Sequence, residues 1–200
     1  MNDASDISKN EHPQGLQLGW KLVESRYPFA NEVLRLREDR LQVPGAESQT
    51  FAYVEQGTAV MIVPLTDDGQ IVTIRQYRYP VDAHCQEVPA GKTSDVPELS
   101  LEEVAAKELS EEIGGTFTAL EPLGAAFTNP SLGDEECHYF LARGVRLEKK
   151  KEPEPMEKIE IELVSAAEAV RLARQGGFRT APAALAILLA EPRLRELGFI

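Results

Sequence analysis

The spacing of apolar and polar residues changes period along the chain, and each change marks an element. Strands are predicted over residues 21–27, 33–43 and 51–56, where β-formers recur between turn residues. A short apolar run at 60–64, the turn signal Asp67-Asp68-Gly69 and a run at 71–77 read as a hairpin. A strand at 84–88 leads into Pro89-Ala90-Gly91, followed by a loop to about Leu99. The period then becomes helical. Leu101, Ala105, Leu109 and Ile113 form one drifting apolar stripe, widened by Val104. Ser100 and Glu103 make a capping box, Leu99 and Val104 occupy the staple positions, and Gly114-Gly115 close the helix. Strands at 121–127 and 137–143 precede a charged, proline-bearing loop at 148–155. Ile159, Ile161 and Leu163 alternate with Glu160 and Glu162, as in a half-buried strand. Helices are expected over 165–175 and 182–190, with Ser165 and Glu168 as a second capping box.

The helix beginning near Ser100 carries the candidate chemistry. On a helical wheel Glu108 and Glu112 fall between Leu101 and Val104, inside the apolar sector. Glu103, Lys107 and Ser110 face water, and Glu111 lies at the edge. An ionised carboxylate without a partner is costly to bury. Lys107 lies on the wrong side for Glu108 but can pair with Glu111 at i+4. The pattern therefore favours a bound divalent cation over a solvated charged face.

Composition narrows the setting. Two hundred residues suffice for one domain with a core, and 42% hydrophobic with 27% charged residues is ordinary for a globular protein. The net charge of −12, from 33 acidic and 21 basic residues, argues against a nucleic-acid or anionic-membrane surface. No apolar run approaches the roughly 18 residues of a membrane span. Residues 1–15 lack a signal-peptide apolar core and are expected to be a disordered tail. Two isolated cysteines, Cys85 and Cys137, fit a reducing cytoplasm and a packing role. His84 and His138 have no metal-ligand spacing. Trp20, Tyr27 and Phe29 could stack on a nucleobase, although packing is the more common use of such residues. Arg75 and Arg78 on one strand would by default be surface ion pairs.

Gly91, Lys107, Glu108, Leu109, Glu111, Glu112 and Gly114 together resemble the Nudix box. The flanking runs Arg75-Gln76-Tyr77-Arg78-Tyr79-Pro80 and Gln86-Glu87-Val88-Pro89-Ala90-Gly91 extend the resemblance, as does Asp134-Glu135 with Phe140-Leu141-Ala142. These are similar to the branch that hydrolyses ADP-ribose and other nucleoside diphosphate sugars. The resemblance spans roughly Trp20 to Leu189. It implies an α/β fold, an α/β/α sandwich around a mixed sheet, in which the box forms loop, helix and loop. An N-terminal β-rich section at 16–56 would join two chains in a homodimer, and 57–200 would form the hydrolase domain.

The resemblance also implies Mg²⁺, or Mn²⁺ as a substitute. Glu108, Glu111, Glu112 and the carbonyl of Ala90 would be metal ligands. Arg78 would contact the pyrophosphate, with Glu87 and Glu135 lining the substrate site. Glu157 would be a further ligand or the general base, with Glu154 as the alternative. The chain departs from the pattern at several places. Gly91 stands sixteen residues before Lys107, two more than the motif has, and Leu99, beside Glu98, takes the place of the early glutamate. Lys107 replaces an arginine, and lysine cannot make a forked hydrogen bond. Gly115 stands where an apolar residue is usual, Ser131 and Gly133 replace a glycine and a serine, and Pro155 stands at an often acidic position. The implied reaction releases a nucleoside monophosphate and a sugar phosphate. Hydrolysis of nucleoside triphosphates or dinucleoside polyphosphates is the alternative, and a non-catalytic ADP-ribose-binding module a third.

Overall fold

A computed structural model of the chain describes residues 12–148 and 158–200. The chain divides into two compact units, Met1–Gln56 with Asn129–Asp134, and Gly57–Thr128 with Glu135–Ile200.

In the first unit a five-residue helix, α1 (Pro13–Gln17), precedes three antiparallel strands: β1 (Lys21–Ala30), β2 (Arg35–Gln42) and β3 (Gln49–Glu55), in sheet order β1-β2-β3. Helix α1 lies partly within the stretch expected to be a disordered tail; Pro13 at its first turn has no N–H to satisfy there. Residues 1–11 are outside the described residues. The sheet holds a buried polar cluster. Arg37 donates to Asp39 at 2.8 Å and to Ser25 at 3.2 Å, and Ser25 donates to Asp39 at 2.6 Å. Trp20 packs against Phe51, with ring centroids 5.7 Å apart. Leu132 accepts from the Val54 N–H at 2.8 Å, and Gly133 bridges to Val54. A Cβ at Gly133 would sit 2.7 Å from the Val54 carbonyl oxygen, which explains glycine at that departure from the motif.

The second unit is built on β4 (Thr58–Leu65), β5 (Gln70–Arg78), β6 (Ala83–Glu87), β7 (Ala90–Lys92), α2 (Leu101–Ile113), β8 (Gly115–Thr116), β9 (Ala119–Phe127), β10 (Glu136–Arg143), β11 (Arg146–Leu147), β12 (Glu160–Ser165), α3 (Ala166–Arg174) and α4 (Ala181–Glu196). The main sheet runs β12-β5-β4-β10-β9, with β6 on β5 and β7 on β4; β8 and β11 form a separate small ribbon. Strand β4 is parallel to β10 and the other pairs are antiparallel, so the sheet is mixed.

Strand β4 is buried on both faces, as its continuous apolar run requires. Val60 and Ile62 join Val72, Ile74, Phe140 and the α2 residues Val104, Ala105, Leu109 and Ile113. Met61, Val63 and Leu65 point the other way, to residues of α3 and α4 such as Ala169, Val170, Ala186 and Ile187. Strand alternation thus sorts the core into two layers, α2 on one face and α3 with α4 on the other, giving the α/β/α sandwich. Helix α4 continues well beyond the expected 182–190, through Pro192. Among the described residues no helix is long and apolar enough to cross a membrane.

Candidate active site

Strands β4 and β5 pair in register only at Leu65 and Ile71, beside their turn. Beyond it the incoming segment uses both. Strand β6 pairs with β5, Ile74 opposite Glu87, and β7 pairs with β4, Val60 opposite Gly91. Directly opposed residues point to the same face. Ile74 and Val60 face α2, so Glu87 and Gly91 face it as well. Arg78, four residues after Ile74 on the same strand, shares that face.

Helix α2 starts and stops as its sequence predicts. The Ser100 hydroxyl accepts from the Glu103 N–H at 3.3 Å, and the Glu103 carboxylate accepts from the Ser100 N–H at 2.8 Å. This backbone contact holds the Glu103 carboxyl below its ordinary value. Gly114 takes the left-handed conformation at φ 65° as the C-cap. A Cβ at Gly115 would run into Leu109 and Ile113, so the expected apolar residue does not fit there. Leu99, in the place of the early glutamate, packs into the same core layer as Val104. At α3 the Ser165 hydroxyl caps Glu168 N–H, but the Glu168 carboxylate pairs with Arg171 rather than completing a box.

The helix presents its carboxylates in a graded way. Glu112 is buried at 4% exposure. The Glu108 side chain is 14% exposed and that of Glu111 42%. Gly91 lies directly against Glu108: a Cβ there would overlap the Glu108 carboxyl group. The β7 main chain therefore approaches this helix at the residue after Ala90 because Gly91 has no side chain. Lys107 differs from the sequence reading. Its ammonium donates to Glu111 at 2.6 Å and also to Glu108 at 3.2 Å. A helical wheel assigns Lys107 to the far side, but its four-carbon stem reaches back along the helix surface. Its pKa is raised, chiefly by the hydrogen bond to Glu111, with the Glu108 charge adding to it.

Arg78 also has a partner the sequence reading did not pair with it. Its Nε donates to Glu87 Oε1 at 2.9 Å and its Nη2 to Oε2 at 2.6 Å, a bidentate pair. Glu87 is 3% exposed, whereas nearly half of the Arg78 side chain faces solvent. Arg75, by contrast, makes the ordinary surface pair, with Glu160 at 3.5 Å. Glu135 has a different neighbourhood. It stands just before β10, and its charge acts on Cys137 and Tyr139, in the core layer of α3 and α4. Burial is the main reason the Cys137 thiol is pushed up to about 11, so it is poorly suited to act as a nucleophile. Glu157 and Glu154 lie outside the described residues. The structure thus groups Arg78 with Glu87, and Ala90–Gly91 with Glu108, Glu111 and Lys107. The signal for both unexpected pairings was present as side-chain length on a shared face.

The donor chemistry fits a divalent cation. Glu108, Glu111 and Glu112 offer hard carboxylate oxygens at i, i+3 and i+4, and Gly91 brings backbone against the first of them. Among the described residues no three His, Cys, Asp or Glu side chains are arranged as a ready-made metal cage. Two of the three helix carboxylates hold the Lys107 ammonium instead.

Comparison with known proteins bears on the same residues. The NUDIX domain family matches residues 55–184, which run from β4 through α3 into the first turn of α4. The chain belongs to the NUDIX family. It is similar to the ADP-ribose pyrophosphatase of Bacillus subtilis (strain 168), 31% identical over 168 residues, covering 84% of this chain and 90% of that protein. It is also similar to the ADP-ribose pyrophosphatase of Mycobacterium tuberculosis (strain ATCC 25618 / H37Rv), 32% identical over 64% of this chain and 61% of that protein. A methanol dehydrogenase activator of Bacillus methanolicus is 29% identical over 62% of this chain and 66% of that protein. A solved ADP compounds hydrolase superposes with a TM-score of 0.78 at 21% identity, covering 90% of this chain and 97% of that one, which establishes the shared fold. The chain is accordingly a Nudix hydrolase with the α/β/α architecture of that family.

Proposed function

We propose that this Nudix hydrolase cleaves the pyrophosphate bond of ADP-ribose or a related nucleoside diphosphate sugar. The products would be a nucleoside monophosphate and a sugar phosphate. One observation carries the reading: a single face of the sheet holds the two charge types a diphosphate requires. Arg78 offers a guanidinium and α2 offers a carboxylate set suited to a divalent cation. The two ADP-ribose pyrophosphatases among its relatives favour this substrate class.

Glu108, Glu111, Glu112 and the Ala90 carbonyl would hold Mg²⁺, with Mn²⁺ as a substitute. When bound, the ion would acidify water and shield the diphosphate charge. Arg78 would grip phosphate oxygens, and buried Glu87 would fix its guanidinium in place. Glu135 would line the substrate site, and Glu157, or Glu154 beside it, would take the proton from the attacking water. Residues 16–56 would join two copies. In support, Val23, Phe29, Val33, Leu34 and Phe51 are exposed in or beside that sheet. Buried free thiols at Cys85 and Cys137 favour a reducing cytoplasm, and the acidic balance disfavours nucleic acid or an anionic membrane as partner.

A substrate panel in Mg²⁺ with chemical identification of products tests the activity. Monophosphate plus sugar phosphate is expected. Pyrophosphate released from triphosphates would select the alternative hydrolase, and binding without turnover under any divalent ion would sink both enzyme readings. Sedimentation equilibrium checks the assembly: twice the 22.1 kDa chain mass is expected, and a monomer at micromolar concentration rejects the dimer.

A further inference from the structure

We infer that Lys107 is a tethered counter-cation that competes with the divalent ion for Glu108 and Glu111. This rests on the metal role proposed above for the α2 carboxylates. The two carboxylates meet at one ammonium, 2.6 Å from Glu111 and 3.2 Å from Glu108. A metal cannot take the same oxygens while Nζ holds them. Glu108 has little room to swing aside, because Gly91 lies against its carboxyl group and its side chain is only 14% exposed. A metal that takes Glu108 Oε1 and Glu111 Oε2 therefore displaces the lysine head group. The side chain permits this: it is 32% exposed, rotates freely along its stem and carries a compact point charge rather than a planar fork. The charge that Lys107 supplies keeps two like charges together on one turn of helix. The same charge raises the metal concentration needed to load the site.

The test measures Mn²⁺ binding to the full chain by loss of the free-ion EPR signal. The proteins are wild type, Lys107→Met and Lys92→Met. Methionine keeps helix propensity and length while removing the charge. Lys92→Met is the control for net charge alone, since Lys92 pairs opposite Ala59 on β7 and so points to the other face from Gly91. Lys107→Met is expected to bind Mn²⁺ roughly tenfold more tightly, a modest figure because the ion pair is part-exposed. Lys92→Met should stay within about twofold of wild type. An unchanged or weaker affinity in Lys107→Met, or a gain no larger than that of Lys92→Met, overturns the inference and leaves the metal site standing. If neither wild type nor Lys107→Met binds Mn²⁺, the metal reading falls with it. A second readout needs no variant. Amine labelling of Lys107 in the wild-type protein, followed by mass spectrometry, should accelerate several-fold when Mg²⁺ is added; an unchanged or slower rate contradicts displacement.

Discussion

Glu112 and Glu108 differ from most helix glutamates in how little water reaches them. Each occupies a position that the helical period assigns to the core side, where a charge is retained only at a cost. Glu111 lies one step round the helix and is three times as exposed as Glu108, 42% against 14%. Their roles should diverge accordingly. Glu112→Gln preserves size and burial while removing the charge. It is expected to lower kcat on the order of 100-fold or more, with the far-UV circular dichroism unchanged. Full turnover in that variant would reject Glu112 as a ligand. The buried thiols and Arg75 show the same lesson in reverse. Chemically capable side chains at Cys137 and Arg75 are accounted for by burial and by a surface ion pair.

At the scale of elements, the site depends on how β7 reaches α2. The segment from Ala83 to Lys92 changes partner from β5 to β4, and that switch places Gly91 under the helix. Gly91→Ala is a test of this approach. Its new methyl would meet the end of a flexible side chain rather than backbone, so the fold should survive at a cost of about 1–3 kcal/mol. The Glu108 carboxyl must then move, and kcat/KM is expected to fall roughly tenfold or more. Thermal melting with steady-state kinetics separates the two effects. A variant with wild-type kinetics would refute the idea that this contact positions Glu108. The lengthened stretch between Gly91 and Lys107 also becomes intelligible here. It carries Leu99 into the core layer beside Val104, so a structural side chain stands where an acidic one is usual.

Across the whole molecule, acidic residues outnumber basic ones, and many carboxylates are held by arginine. Glu121 lies below its ordinary value of 4.5, chiefly through the Arg193 hydrogen bond with the Arg143 charge adding to it. Glu191 is lowered by Arg195 and Arg174, and Glu168 by Arg171. A depressed carboxylate stabilises the fold fully above its unfolded pKa, and that contribution is lost as pH falls through the folded value. The melting temperature should therefore be nearly flat near neutrality and decline once pH drops below the ordinary glutamate value of 4.5. Arg193→Met should flatten part of that acid decline while lowering stability at neutral pH. A decline just as steep in the variant would show that the Glu121 bridge contributes nothing. The Arg174–Glu191 pair ties α3 to α4, and Arg195 holds the same carboxylate from within α4, so acid should loosen that layer.

Period and capping placed most of the helices and strands from sequence alone, while the α/β/α arrangement was implied by the resemblance to the Nudix box and its flanking runs. Alternation marked the strands, a 3.6-residue stripe with Ser100 and Gly114 bounded α2, and the inward angle of Glu108 and Glu112 followed from the same stripe. These are local properties, set by backbone geometry within a few residues. Tertiary structure decided what side chains do with the freedom left to them. Only the pairing of β6 with β5 brings Glu87 to the Arg78 face, and only the close approach of β7 explains Gly91. Long side chains escape a wheel diagram for the same reason. Lys107 starts on the outer side of α2, and its reach, set by four rotatable carbons rather than by its position, carries its charge to both Glu108 and Glu111.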